Sequence, residues 1–290
     1  TRDRRQSPKG RAGLMREWLR LVEAQGVDLL KLEDNLNGWS VKRVLDKVKN
    51  TFNAARNQED FSHEVMDAMA GCLACKACAS QCPIKVDVPE FRARFINLYH
   101  SRYARPLKDH LVANIEQMAP IMSLAPKLVN GVIDSKVFSK ITRSQIGYVD
   151  TPRLSVPTLK NRIAGESYSE FNLDTFKSLP RSELDKMVFI VQDPFTSFYE
   201  AEVVEKFMAL IKELGFSPVL LPFKPNGKPQ HVKGFLKKFA KTAQNSANFL
   251  NEVASLNVPL VGVDASLVLC YRDEYKTTLG ESRGDFNVLL

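Results

Sequence analysis

Gly71-Cys72-Leu73-Ala74-Cys75-Lys76-Ala77-Cys78-Ala79-Ser80-Gln81-Cys82-Pro83 holds four of the chain's five cysteines. The spacing is C-x₂-C-x₂-C-x₃-C-P, the run that ligates [4Fe–4S] clusters in bacterial ferredoxins. A cubane offers one open coordination position per iron, so three thiolates stepped along a tight turn reach three irons. The fourth cysteine comes after a longer step, is followed by proline and points away. In two-cluster ferredoxins it ligates the other cluster. The expected metal ligands are therefore Cys72, Cys75, Cys78 and Cys82, with Cys82 serving either this cluster or a second one.

The rival readings of the cysteines explain less. A disulfide framework belongs to an oxidising compartment and spreads its cysteines along the chain. Zinc sites pair C-x₂₋₄-C units a dozen or more residues apart, or mix cysteine with histidine. No histidine lies between Cys72 and Cys82, and the intervening Ala74, Ala77, Ala79 and Ser80 are small enough to let backbone N–H groups approach cluster sulfides. Zinc is the remaining metal alternative. Cys270 sits in Val268-Leu269-Cys270-Tyr271, where a lone cysteine reads as a small core hydrophobe.

Working outward, helices are expected on both sides of the cysteine turn. Leu14, Trp18, Leu21 and Val22 share one helical face that Gly26 ends; Ser40 is placed to cap a helix carrying Val41, Val44, Leu45, Val48 and Phe52; Phe61, Val65 and Met69 lead into Gly71. Asp87-Val88-Pro89-Glu90 is an N-cap signature for a helix with Phe91, Phe95, Leu98 and Tyr99. Trp18, Phe91, Phe95 and Tyr99 read as core, His63 and His110 as surface or capping residues. Shorter helical patterns, broken by Pro120, Pro126 and Gly131, fill 105–148. Residues 149–185, with Pro152, Pro157, Gly165 and Pro180 and no sustained period, read as a linker.

The last hundred residues change character. Met187–Val191, Pro218–Leu221 and Pro259–Val263 read as buried strands. Between them lie a helix through Val203, Val204, Phe207, Met208 and Ile211, closed by Gly215, and a long helix opened by Lys228-Pro229 and running through Val232, Phe235, Phe239 and Val253; Asp264 caps a further helix. Strand–helix alternation implies a parallel sheet with right-handed crossovers. The expected fold is α+β with more than one domain: an α-helical ferredoxin-like domain with a helical extension at 1–148, the linker at 149–185, and an α/β domain with a short parallel sheet at 186–290. Asp273 and Glu274 read as a solvated helix face.

The chain has 290 residues and a formal charge of +8. Its basic start, Arg2, Arg4, Arg5, Lys9 and Arg11, is followed by Arg16, Glu17, Arg20 and Glu23, so no signal-peptide apolar region forms. No apolar run reaches the about 18 residues that span a bilayer. A reducing cytoplasm is expected, with an acidic partner domain or an anionic membrane surface as possible counterparts of the charge. Nucleic acid is not expected, since no recognition motif accompanies the charge. No G-x-G-x-x-G or G-x-x-x-x-G-K-[ST] run supports nucleotide binding. The start at Thr1 and the end at Asn287-Val288-Leu289-Leu290 suggest a fragment of a longer protein.

Three stretches resemble a known family. Arg5-Gln6-Ser7-Pro8-Lys9-Gly10-Arg11-Ala12 looks like the segment that follows the first iron–sulfur motif in FAD-linked D-2-hydroxyacid dehydrogenases with a C-terminal iron–sulfur module. Gly71–Pro83 looks like their second motif. Val191-Gln192-Asp193-Pro194, Pro222–Pro229 and Leu269-Cys270-Tyr271-Arg272-Asp273-Glu274-Tyr275 look like the CCG-type domain of that family, which is related to domains of heterodisulfide reductase and anaerobic glycerol-3-phosphate dehydrogenase. The resemblance is greatest to the large single-chain bacterial D-2-hydroxyglutarate dehydrogenase type. The chain departs from the pattern where CCG domains carry cysteines: Gln192-Asp193 and Pro225-Asn226-Gly227 stand there, leaving only Cys270, so the C-terminal domain reads as a degenerate CCG-like scaffold. The resemblance implies FAD and substrate domains upstream. It implies that this segment relays electrons from flavin through the [4Fe–4S] cluster to a quinone or another carrier, and carries no substrate catalysis. The alternatives are an iron–sulfur subunit of a glycerol-3-phosphate or lactate dehydrogenase complex, and a docking module built around a structural cluster.

Overall fold

The computed structural model describes residues 3–29, 31, 41–54, 60–147, 151–164 and 171–290. The expected cap Ser40, the side chain of Val41, and Arg2 and Gly165 lie outside the described residues. The chain divides into two compact units, residues 1–110 with 230–236, and residues 111–229 with 237–290. The sequence reading groups 105–148 with the cysteines; the division instead places everything from 111 onward, apart from 230–236, with the α/β unit.

The first unit is helical. Helix α1 (Pro8–Ala24) starts where the Ser7 hydroxyl accepts the Gly10 N–H at 3.0 Å, with proline at the first position, where its missing N–H costs nothing. It is followed by α2 (Val41–Ala54), α3 (Phe61–Ala70), the one-turn α4 (Ala77–Gln81) and α5 (Val88–Arg102). Met15 and Trp18 from α1, Val65 and Met69 from α3, and Phe95, Ile96 and Leu98 from α5 make one core. The Trp18 and Phe95 rings meet edge-on at 5.0 Å, and the Trp18 indole N–H donates to the Ser62 hydroxyl at 3.1 Å. Phe91, expected in this core, is 41% exposed. It lies at the edge of the buried arc of α5, whose centre is taken by Arg92. The apolar face of α2 is also open: Val44, Leu45, Val48 and Phe52 are exposed.

The second unit carries a four-stranded, all-parallel sheet of order β2-β1-β3-β4, built from β1 (Met187–Val191), β2 (Ser217–Leu220), β3 (Leu260–Gly262) and the short β4 (Val288–Leu289). Phe189 pairs with Val219 and Leu260, Ile190 with Leu220 and Val261. Successive residues face opposite sides of a strand. Phe189 therefore packs with Phe239, Leu250, Tyr271 and Tyr275 on one face, and Ile190 with Val204, Met208 and Ile211 on the other. Both faces are covered by helices, which is why the strands read as apolar runs rather than alternating ones.

Some expectations shift. The long helix expected from Lys228 is two helices, Lys228–Val232 and α7 (Leu236–Ala254), with α6 (Ala201–Glu213) the crossover helix before it. The break is at Gly234, which has φ +67°; a Cβ there would lie 2.8 Å from the Asn97 amide nitrogen and 3.0 Å from Ala93 O. The expected linker contains packed helices at Leu159–Ile163, Leu173–Lys177 and Arg181–Leu184, and Leu154, Leu159, Phe176 and Leu184 are buried. Each is a single turn, too short for a 3.6-residue period to show. Glu274, expected in water, is 1% exposed and pairs with Lys228 Nζ. Cys270 is fully buried in the core, as expected. No helix among the described residues is long and apolar enough to cross a membrane.

A buried carboxylate closes the loop after β2. Glu116 is 0% exposed, and its two oxygens accept the N–H groups of Asn226 and Gly227, each at 2.8 Å. The Asn226 carbonyl receives the Tyr275 hydroxyl at 2.7 Å, and its amide donates to Leu267 O at 3.2 Å. Burial pushes the Glu116 carboxyl up to about 7, against the downward pull of the Gly227 and Asn226 N–H groups. A folded-state value above the ordinary 4.5 means that the folded state holds the proton more tightly. The contribution is therefore complete below pH 4.5 and is lost as pH rises through about 7. We expect urea midpoints to fall between pH 5 and pH 8, and Glu116→Gln to flatten that dependence. Glu116→Ala leaves two buried N–H groups unpaired and is expected to cost about 1–3 kcal/mol for each at either pH.

Candidate metal centre

Helix α3 delivers the cysteine run. Asp60 caps its start, accepting the Ser62 N–H at 2.9 Å, and Val65 and Met69 anchor it in the core. It ends at Gly71, whose N–H, like that of Cys72, donates to Met69 O, the latter at 3.1 Å. Two arginines take the carbonyls exposed at this end: Arg11 Nε donates to Ala68 O at 2.8 Å and Arg92 Nε to Met69 O at 3.0 Å. Gly71 is pressed from outside, since a Cβ there would lie 2.8 Å from Gln6 Oε1 and 3.2 Å from Arg11 Nη2. The segment Arg5–Ala12, noted for its family resemblance, thus braces the entry to the cysteine arc.

Beyond Cys72 the backbone turns through left-handed positions at Ala74 (φ +55°) and Lys76 (φ +59°), neither of them glycine. Such positions are sparsely populated for residues with a Cβ and gather at functional sites. Lys76 then starts α4, its carbonyl accepting the N–H groups of Ala79 and Ser80 at 2.9 and 3.1 Å. Its ammonium pairs with Asp87 at 3.0 Å, and Asp87 caps α5 by accepting the Glu90 N–H at 3.0 Å. Glu90 in turn meets His231 Nε2 at 3.1 Å, and this pairing holds the carboxyl below its ordinary value although burial pushes it the other way. Lys85 (φ +56°) closes a turn with its N–H on Cys82 O at 3.1 Å.

The four thiols fall into two electrostatic settings. Burial raises the pKa of the Cys78 thiol, and the neighbouring Cys72 and Cys75 raise it further. Cys78 therefore lies within the field of Cys72 and Cys75. Cys82 is held below its ordinary value by the backbone N–H groups of Val86 and Ile84, helped by Lys85. Cys75 is exposed and the other three are half-buried. Among the described residues, no three His, Cys, Asp or Glu side chains are already drawn together as a metal cage. Four thiols on one short arc, the fourth beside backbone N–H groups, match a [4Fe–4S] cluster by donor chemistry. Cys72, Cys75, Cys78 and Cys82 are the residues that could hold it.

Of the histidines, His63 is half-buried with Nδ1 2.8 Å from the Tyr99 hydroxyl, and His110 is exposed and edge-on to Phe235. Sequence reasoning passed over Arg11 and Arg92. Arg92 carried a signal: it sits three and four residues before Phe95 and Ile96, on the apolar face of α5, where a charge needs a reason.

The chain is 56% identical over 292 residues to a D-2-hydroxyglutarate dehydrogenase of Escherichia coli (strain K12), covering 100% of this chain and 29% of that protein. It is 54% identical over 292 residues to a D-2-hydroxyglutarate dehydrogenase of Pantoea ananatis, covering 100% of this chain and 29% of that protein. Against the one of Haemophilus influenzae it is 51% identical over 283 residues, covering 98% and 28%. The chain thus spans under a third of the length of the curated relatives it matches. No family model matches the chain, and no solved structure matches it.

The left-handed turn gives a test independent of redox chemistry. At Lys76, φ +59° suits glycine and opposes a β-branched side chain. Lys76→Gly and Lys76→Val both lose the Asp87 pair, so a difference between them reports the backbone; Lys76→Val is expected to carry less iron per chain after anaerobic purification than Lys76→Gly. Equal iron in both variants would mean that the turn does not govern loading.

Proposed function

We propose that this chain is the electron-transfer portion of an FAD-dependent D-2-hydroxyacid dehydrogenase acting on D-2-hydroxyglutarate. The observation that supports it best is the four-cysteine arc at Cys72–Cys82, in a chain 56% identical along its whole length to part of a protein named for that activity. In this reading Cys72, Cys75 and Cys78 hold a [4Fe–4S] cluster, and Cys82 completes its ligation or serves a second cluster. A cluster bound there stores and passes single electrons, with a potential set by hydrogen bonds, charge and solvent access.

The chain's own residues do the supporting work. Met69 O ties Cys72 to the end of α3, while Lys76 and Asp87 tie the middle of the arc to α5. Ala74, in the middle of the turn, is buried. Backbone N–H groups beside Cys82 favour its thiolate, the form that binds iron. Substrate oxidation belongs to an FAD domain outside this chain, which would deliver electrons to the arc. A quinone or another carrier would accept them, in the cytoplasm or at the inner face of a membrane. The α/β unit, whose core holds Cys270 as its one cysteine, serves as a scaffold.

The test uses the full-length enzyme. Anaerobically purified protein is expected to carry about four irons and four sulfides for each cluster. Cys72→Ser should remove its visible iron–sulfur absorbance and stop transfer to an external acceptor, while substrate still reduces the flavin. Loss of flavin reduction in the variant would show that the cluster is not simply downstream. Zinc in place of iron in the wild type would end the redox reading.

A further inference from the structure

The helix that delivers Cys72 ends in positive charge. Its last carbonyls are met by Arg11 on Ala68 O and by Arg92 on Met69 O, at 2.8 and 3.0 Å. Cations at a helix C-terminus are favourable for the dipole alone. Arg92 is nonetheless an unusual cap, because it is only 5% exposed and guanidinium burial is costly. Its second hydrogen bond, from Nη1 to Val232 O at 2.6 Å, also goes to a neutral carbonyl. No carboxylate hydrogen-bonds it among the described residues. Asp109, the acidic group that acts on it through space, is already paired with Lys233 at 2.7 Å.

The route from Arg92 to the cysteine arc is short. Met69 O accepts both the Arg92 Nε–H and the Cys72 N–H, so a single carbonyl stands between the guanidinium and the amide of the first cysteine. Burial pulls the Arg92 pKa down, and Cys72 is the largest influence pulling it back. The other cations near the arc are compensated differently: Lys76 is paired with Asp87, and Lys85 is exposed to water, which screens its charge.

We propose that Arg92, seconded by Arg11, is a positioning residue that raises the reduction potential of the iron–sulfur site at Cys72–Cys82. The inference rests on the cluster reading given above. Reduction adds one negative charge at the site, and a fixed cation in a low-dielectric surrounding favours the reduced form more than the oxidised one. A lysine standing in water, as Lys85 does, has less effect.

The experiment is an anaerobic redox titration of the full-length protein followed by EPR, with iron and sulfide counted in every sample. Arg92→Gln is expected to titrate at a more negative midpoint than wild type, Arg92→Lys to recover part of the shift, Arg11→Gln to move less in the same direction, and Lys85→Gln to stay near wild type. If Arg92→Gln loads no cluster, Arg11→Gln and Arg92→Lys carry the test, and wild-type midpoints in both overturn the proposal. An iron-loaded Arg92→Gln protein with a wild-type midpoint overturns this inference and leaves the cluster reading standing. An iron-free wild-type protein overturns both.

Discussion

The carbonyl of Met69 is where the helical unit is held together. It closes α3 by accepting the Gly71 and Cys72 N–H groups, and it binds the Arg92 guanidinium from α5. Three demands meet there: a helix end must find donors, the first cysteine must leave the helix in a fixed direction, and a buried cation must find an acceptor. The core of Trp18, Val65, Met69 and Phe95 keeps these groups in register, and the Arg11 bond to Ala68 O repeats the arrangement one residue earlier. The cysteine arc thus begins from a rigid point although its middle runs through left-handed positions.

The α/β unit solves its polar problem in another way. The loop at Pro225-Asn226-Gly227 is fastened by Glu116, whose two oxygens take two backbone N–H groups. Tyr275 and the Asn226 side chain satisfy what remains of the turn. A side-chain carboxylate does here for backbone donors what ligation to metal does for thiolates elsewhere: it fixes a loop that has little regular structure of its own.

Much of this was legible from residue order. The cysteine spacing, the Asp87 cap, the three apolar strand runs and the Asp264 cap each depend on neighbours within a few positions, and each of the local elements forms where expected. What stayed hidden depends on distant partners. Nothing local marks Glu116 as the clamp of a loop 110 residues later, or Glu274 as the buried partner of Lys228. The single-turn helices between 159 and 184 lack the length for a period, and β4 has only two residues. Gly234 falls inside the expected long helix, and only the approach of Ala93 and Asn97 shows why the helix stops there.

The cysteine-bearing unit is discontinuous in sequence, since it includes residues 230–236. Arg92 bonds Val232 O, and Arg105 bonds the carbonyls of Lys233 and Gly234. A chain emerging from the ribosome therefore has all four thiols available well over a hundred residues before the last strap of their unit is made. Assembly of that unit has to wait for the later polypeptide, and a fragment cut after His110 would leave Arg105 without these carbonyls and Arg92 with Met69 O alone. The cysteine-bearing unit is thus completed only by residues made long after its cysteines.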